Sequence, residues 1–469
     1  MKVYFQLLIF IAFYAFSVTS YGQNPNPSAT LDGFIEGEMS LENIPGATTL
    51  IVKDGEIVWV ESYGFADIDN SINVEDTTVF LLASISKVFT GTALMQLAEN
   101  GTLDLDEDIN NYLPFDVDIP GFVSDSITFR DLMTHTSSII DGAAMDGYYG
   151  YPDPTITLAQ CVQRYFDVSG SDYSVTQNFS TNAPGTTYSY SNMATALAGY
   201  LVEVVSGTDF AEYCNQNIFE PLCMNHTGWH MSDFDTNEVA RPYQFVGGNY
   251  QPYAHYGFAD YPDGQLRSDI TDIANFLIAY LQDGSFNASS ILNSASIAEM
   301  LTLQVPGIEN TQGLNWYTEE LFTATQIVTV WGHNGGESGV STDFYMDKAN
   351  NIAIAVLTNG EGDNLYICDE LLDYGMSLTA TGVGNPNCGQ VGISEIDDYF
   401  AVFPNPTNDI IHVGNTIKSV SVIDITGKVM NTINVKNGKI NLSKYPKGTY
   451  LLNLKDSDGL IHKKQIIVD

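Results

Sequence analysis

Read as a pattern of apolar and polar positions, the 469-residue chain divides into a long mixed stretch and a short tail of strands. Near the start, Thr48 to Val52 and Glu56 to Tyr63 are β-prone runs, and Lys53-Asp54-Gly55 between them has the composition of a hairpin turn. From Ser86 to Asn100 the apolar residues Val88, Phe89, Ala93, Leu94 and Leu97 recur at helical spacing, and Gly101 ends the run. Ala194 to Ser206 and Thr271 to Gln282 repeat the helical pattern, whereas Thr342 to Met346 and Ile352 to Thr358 read as paired strands. Strands at both ends with helices between predict an α/β unit of the α+β kind. One sheet is assembled from the two ends, with a helical insertion.

The tail is all β by pattern. Ile433/Val435 and Ile440/Leu442 alternate on either side of Asn437-Gly438, which predicts a hairpin. Further strands fit Val420 to Ile425, Tyr450 to Leu454 and Gln465 to Val468. Between 381 and 398, Gly, Asn and Pro predominate, as in a linker. At the other end, Met1-Lys2, an apolar Tyr4 to Phe16 segment and Ser20-Tyr21-Gly22 have the order of a secretory signal and its cleavage site. An anchoring helix is the competing reading, but the apolar run falls short of the ~20 residues that span a bilayer. The expected organisation is a signal peptide over 1–22, a large unit over 31–380, a linker over 381–398 and a β module over 399–469. No membrane span is expected in the mature chain.

Charge sharpens that division. The chain has 17 Lys+Arg against 57 Asp+Glu. From Phe400 onward there are nine Lys and five Asp, a net of 9 − 5 = +4; the rest holds 8 basic and 52 acidic residues, a net of −44. So sharp a step argues for two regions of separate origin. The acidic region would be repelled by nucleic acid and by anionic membrane, so neither is expected as a partner. Five cysteines, Cys161, Cys214, Cys223, Cys368 and Cys388, leave at least one thiol unpaired within the chain. Their spacing allows Cys214 with Cys223 or Cys368 with Cys388, and exported proteins keep such bonds. No metal or other cofactor is expected: His226 and His230 lie four apart, but no general-base Glu follows the first.

Three short segments carry candidate chemistry. In Ser84-Ile85-Ser86-Lys87 at a helix entry, residues three apart share a face, so the Lys87 amine can touch the Ser84 hydroxyl. A serine is a poor nucleophile until a base takes its proton, and a lysine serves only if its surroundings lower its pKa. The chain between the signal segment and Phe400 has three lysines, Lys53, Lys87 and Lys348, which makes one at this offset conspicuous. In Tyr190-Ser191-Asn192 a phenol can relay a proton and an amide can orient a carbonyl. In Gly332-His333-Asn334-Gly335-Gly336 the glycines permit close approach of a ligand, and His333 supplies a donor or a positive charge.

These three segments, in this order, resemble the serine β-lactamase-like family, in its class C β-lactamase, D-alanyl-D-alanine carboxypeptidase and esterase branch. The branch has Ser-x-x-Lys, Tyr-x-Asn, then Lys-Thr-Gly or His-x-Gly. Leu132-Met133-Thr134-His135-Thr136-Ser137 and Asn217-Ile218-Phe219-Glu220-Pro221-Leu222 resemble further landmarks of the family, over about Leu31 to Ala380. Ser138 departs from the usual Gly, and His333 stands where efficient β-lactamases have Lys.

The resemblance implies a β-lactamase/transpeptidase fold and acyl transfer to water through an acyl-enzyme. Ser84 is then the nucleophile, with Lys87 and Tyr190 moving its proton. Asn192, His333 and Gly335 contact substrate, and the Ser84 and Gly336 N–H groups form the oxyanion hole. An ester, a D-amino-acid peptide and a β-lactam remain open as the small-molecule or peptide substrate. The alternative is a catalytically silent exported binding protein with the same fold. In the tail, Phe403-Pro404-Asn405-Pro406-Thr407, Ile425-Thr426-Gly427-Lys428 and Lys447-Gly448-Thr449-Tyr450 resemble the sorting domain of the type IX secretion system of Bacteroidota. That resemblance implies a small β-sandwich, the type IX machinery as partner, and a secreted or cell-surface location.

Overall fold

The computed structural model describes residues 24–380, 410–413, 417–423, 428–435, 438–456 and 461–468. The expected signal peptide and linker lie outside them. The described residues fall into two compact units, divided near residue 385.

The larger unit is built on a seven-stranded antiparallel sheet. Helix α1 (Ala29–Glu42) leads into β1 (Gly46–Lys53), β2 (Glu56–Asp67) and the short β3 (Ile72–Asn73). Asp54 (φ 51) and Gly55 (φ 80) are both left-handed, as a two-residue hairpin loop requires. The intervening chain forms mainly helices and loops, with α2 (Ser86–Glu99), α3 (Asn192–Ser206) and α4 (Ile270–Leu281) the longest. The chain then returns as β4 (Tyr317–Phe322), β5 (Ile327–Glu337), β6 (Val340–Asp347), β7 (Ile352–Thr358) and α5 (Leu365–Ser377). Sheet order is β4-β5-β6-β7-β1-β2-β3, with Ala47 opposite Thr358 where the two ends of the unit meet. The sheet assembled from both ends is therefore present.

Helices pack on both sheet faces. Leu31, Ile35 and Met39 of α1 and Ile367, Cys368 and Leu371 of α5 bury against Ile51, Trp59, Ile354 and Val356. On the other side Phe276 of α4 stacks on Phe89 of α2 at 4.0 Å and meets Phe344 of β6 at 6.4 Å. Every residue of α2 from Ser86 to Leu97 is buried, so this helix runs through the core, not over its surface.

The smaller unit consists of strands β8 (Ile410–His412), β9 (Ile417–Ile423), β10 (Val429–Asn434), β11 (Lys439–Asn441), β12 (Gly448–Asp456) and β13 (Ile461–Val468). Two sheets, β8-β11 and β10-β9-β12-β13, share one core of Ile411, Ile440, Val420, Leu452 and Ile466. The hairpin predicted across Asn437-Gly438 does not form: β10 pairs with β9, and β11 with β8. Gly438 (φ 64) turns the chain from one sheet to the other, and its carbonyl accepts from Val413 N–H at 2.8 Å.

Neither cysteine pairing allowed by spacing is present. Cys214 and Cys368, like Cys161, are free buried thiols that fill core positions. Cys223 is disulfide-bonded.

Candidate active site

Ser84 sits in a single 3-10 turn, Ala83–Ile85, immediately before α2. Ala83 takes a left-handed φ of 48°, a conformation that costs a side-chain-bearing residue about 1 kcal/mol or more unless its surroundings enforce it. They do. Thr342 Oγ1 of β6 donates to Leu82 O at 2.7 Å, Leu82 N–H donates to Leu266 O at 2.8 Å, and Leu266 N–H donates to Ser86 Oγ at 3.0 Å. Gly335 completes the clamp, because a Cβ there would collide with Leu82 O and Thr342 Oγ1. A substrate contact is the role expected of Gly335. It is buried beneath the Ser84 turn, whereas a Cβ on Gly336 would meet nothing within 4 Å, and Gly336 lines the cleft beside Ser84.

Lys87, one helical turn on, is fully buried. Its Nζ donates to Ser84 Oγ at 3.2 Å and to the Asp263 carbonyl at 2.6 Å, and lies 4.9 Å from the Tyr190 ring centroid. The turn Tyr261–Asp263 that presents this carbonyl packs Pro262 against Gly199 of α3, where a Cβ would not fit. Burial pulls the Lys87 amine down, and the charges of a Tyr190 phenolate and an Asp263 carboxylate more than restore it.

Tyr190 and Asn192 flank Ser191, the N-cap of α3, and Tyr190 is 40% exposed at the mouth of the site. Asp141 anchors this helix start, accepting from Ser191 Oγ, Asn192 N–H and Met193 N–H at 2.9 to 3.0 Å. Asn192 lines the cleft with Ser84. His333 does not line it. Its ring is buried, burial and the nearby Lys87 charge pull it down to about 3, and Nδ1 meets the Asn334 carbonyl at 2.5 Å. A carbonyl only accepts, so Nδ1 carries the proton and Nε2 is left as an acceptor. Of the donor or positive charge expected of His333, burial favours the neutral ring.

The structure gives further residues a place at the site that the sequence did not assign. His135 is buried, with Nδ1 accepting from Ser191 N–H at 3.3 Å and its ring centroid 4.4 Å from that of Tyr190. More consequential are the carboxyls. The cleft, about 50 Å³, is lined by Ser84, Asn192 and Gly336 together with Asp260, Asp263 and Glu337. Burial first, and then repulsion from nearby carboxylates, raises Asp260 to about 7 and Asp263 well above the usual carboxylate range. Larger clefts lie elsewhere, but their linings hold no serine beside a lysine.

A mixed-helix unit closed over an antiparallel sheet, with a serine–lysine pair where they meet, defines the β-lactamase/transpeptidase fold. Residues 31–370 match the Beta-lactamase family model, and the chain belongs to that family. Residues 401–469 match the Secretion system C-terminal sorting domain, which directs the chain through type IX secretion to the cell surface or extracellular space.

Among curated proteins, Protein flp of Staphylococcus aureus is 23% identical over 70% of this chain. The chain spans 62% of that relative's length. Penicillin-binding protein 4 of Amycolatopsis lactamdurans is 24% identical over 68% of the chain and 81% of its own.

Solved structures with the same fold include the octameric penicillin-binding protein homologue from Pyrococcus abyssi. It is 21% identical, with a TM-score of 0.60 over 94% of this chain and 96% of that one. The D-amino acid amidase from Ochrobactrum anthropi is 24% identical, with a TM-score of 0.59 over 74% and 98%.

Proposed function

We propose that this protein is an exported serine hydrolase that cleaves an ester or amide by way of an acyl-enzyme on Ser84. The observation that carries this reading is the Lys87 Nζ, buried and 3.2 Å from Ser84 Oγ beside an open cleft. Ser84 Oγ attacks the substrate carbonyl as its proton passes to the Lys87–Tyr190 pair. The Ser84 and Gly336 N–H groups hold the oxyanion, and Asn192 orients the acyl chain. The leaving group departs with the proton, and water, deprotonated by Tyr190 and Lys87, attacks the acyl-enzyme and frees Ser84. His333 serves from behind as an uncharged acceptor. Export begins at the signal peptide over 1–22, followed by a hydrolase domain over 31–380, a linker over 381–398 and a sorting domain over 399–469.

A fluorophosphonate probe tests the proposal on the purified protein. A covalent adduct mapped to Ser84, lost in a folded Ser84→Ala variant together with p-nitrophenyl acetate turnover, is the expected result. A folded protein that takes no adduct would be the silent binding protein instead.

A further inference from the structure

Asn192, which orients the acyl chain, lines the cleft of about 50 Å³ beside Ser84, whereas Tyr190 stands at the mouth of the site. The cleft is therefore the acyl side, and the leaving group departs past Tyr190. Its volume suits roughly one or two waters, at about 30 Å³ each in the liquid, or an acetyl group and little more.

Tyr149 closes the far side. Its ring lines the cleft and leans on two others, Tyr256 at 5.9 Å and Phe258 at 5.5 Å between centroids. Both supports belong to a buried cluster with Leu81, Ala83 and Val340. The backbone is held as well. Tyr149 lies opposite Phe258 and Gly150 opposite Gly257, and Ala259 N–H donates to the Tyr148 carbonyl at 3.0 Å. From this side the Tyr149 hydroxyl reaches to the sheet and donates to Glu337 Oε2 at 3.0 Å. Glu337 ends β5 beside Gly336, and its other oxygen accepts from Ser338 N–H at 2.8 Å. Tyr256 OH grips the same turn, donating to the Ser338 carbonyl at 2.7 Å. Ring, backbone and hydroxyl are each fixed, which makes a wall and not a lid. Tyr149 is 41% exposed, so it fills no core position that the fold requires.

We propose that Tyr149, fastened by Glu337, is the size filter of the acyl subsite. It admits an acetyl or propionyl group and stops a longer chain against its ring. A packed wall yields little to added methylenes, so a longer chain enters only by displacing the ring. The proposal rests on Ser84 as the nucleophile and names what limits the acyl donor at that same site.

The test compares kcat/KM for p-nitrophenyl acetate and p-nitrophenyl hexanoate. The unaltered protein should prefer acetate by about 100-fold or more, and Tyr149→Ala should cut that preference by about tenfold or more. Tyr149→Phe keeps the ring but frees it from Glu337. It should cut the preference by about threefold or more, and it serves where the alanine variant folds poorly. Hexanoate turned over as fast as acetate by the unaltered protein, or folded variants that slow both esters alike, overturn the filter.

Should no ester be turned over at all, the hydrolase reading falls and binding decides the filter. p-Nitroacetanilide and p-nitrohexananilide are dialysed to equilibrium against Ser84→Ala and against the same protein with Tyr149→Ala added. Acetanilide binding that is tighter by about tenfold or more in the first protein and not in the second upholds the filter. Equal binding of the two anilides to Ser84→Ala, binding of neither, or a preference that Tyr149→Ala leaves intact refutes it, even if Ser84 takes the fluorophosphonate.

Discussion

Lys87 is placed to do what no neighbouring side chain can, because its amine alone meets the Ser84 hydroxyl. Lys87→Ala should lower p-nitrophenyl acetate kcat/KM by about 10²- to 10⁴-fold, the usual worth of a positioned base, with the thermal melt showing a folded protein. Lys87→Arg should not rescue it, since a guanidinium stays charged; an active arginine variant would remove Lys87 from the chemistry. A second residue acts at a distance. Arg267 is fully buried, and its guanidinium donates to the carbonyls of Trp229, Gln265 and Tyr256 behind the cleft. Arg267→Leu strands the Gln265 and Tyr256 carbonyls, while Trp229 O keeps its bond from Gln265 Nε2, and should destabilise the fold by about 2 kcal/mol or more in urea titrations. The serine–lysine pair was legible in the sequence because it is local geometry, three residues on one helix. The carboxyls were not. Asp263 reaches Lys87 across 176 residues, and one more aspartate in so acidic a chain carries no signal.

At the scale of elements, the site depends on how closely β5 approaches the turn before α2. Gly335→Ala would push the strand off Leu82 and Thr342 and should cost about 1–3 kcal/mol, with slower fluorophosphonate labelling of Ser84. Gly336→Ala has free space and should change stability by no more than about 0.5 kcal/mol, whatever it does to turnover. Equal melting temperatures for the two variants would contradict this account. Pattern alone found β1, β2, α2, α3, α4, β6 and β7, because each has its own period and its own turn or cap. It placed glycines near a ligand without distinguishing the one under the turn from the one facing the cleft, a distinction that belongs to the partner strand. In the tail it mistook a crossing between sheets for a hairpin. Asn-Gly specifies a tight reversal, but the pairing is decided by which strands share the core.

Across the whole molecule, burial of titratable groups sets how stability responds to pH. Burial raises Asp260, Asp272 and Asp343 to about 7, and the Asp269 hydrogen bond raises His226 to about 8. A folded pKa above the unfolded one adds stability at low pH and loses it as pH climbs through the folded value. Burial depresses His135, His255 and His333, which instead lose stability as pH falls below about 6.5. The two sets oppose each other below about 6.5 and leave the carboxyls and His226 unopposed above it. The melting temperature should therefore fall most steeply between about pH 6.5 and 8; a rise over that interval would contradict the burial described here. The seam where β7 joins β1 has a consequence in time. Ala47 waits for Thr358, and the turn holding Ser84 waits for Thr342, 260 residues beyond Leu82. Closing a loop of roughly 300 residues costs about 5 kcal/mol of chain entropy, and folds dominated by such pairings form slowly. Until that seam closes, then, the protein has its serine and its lysine but not the strand that holds their turn.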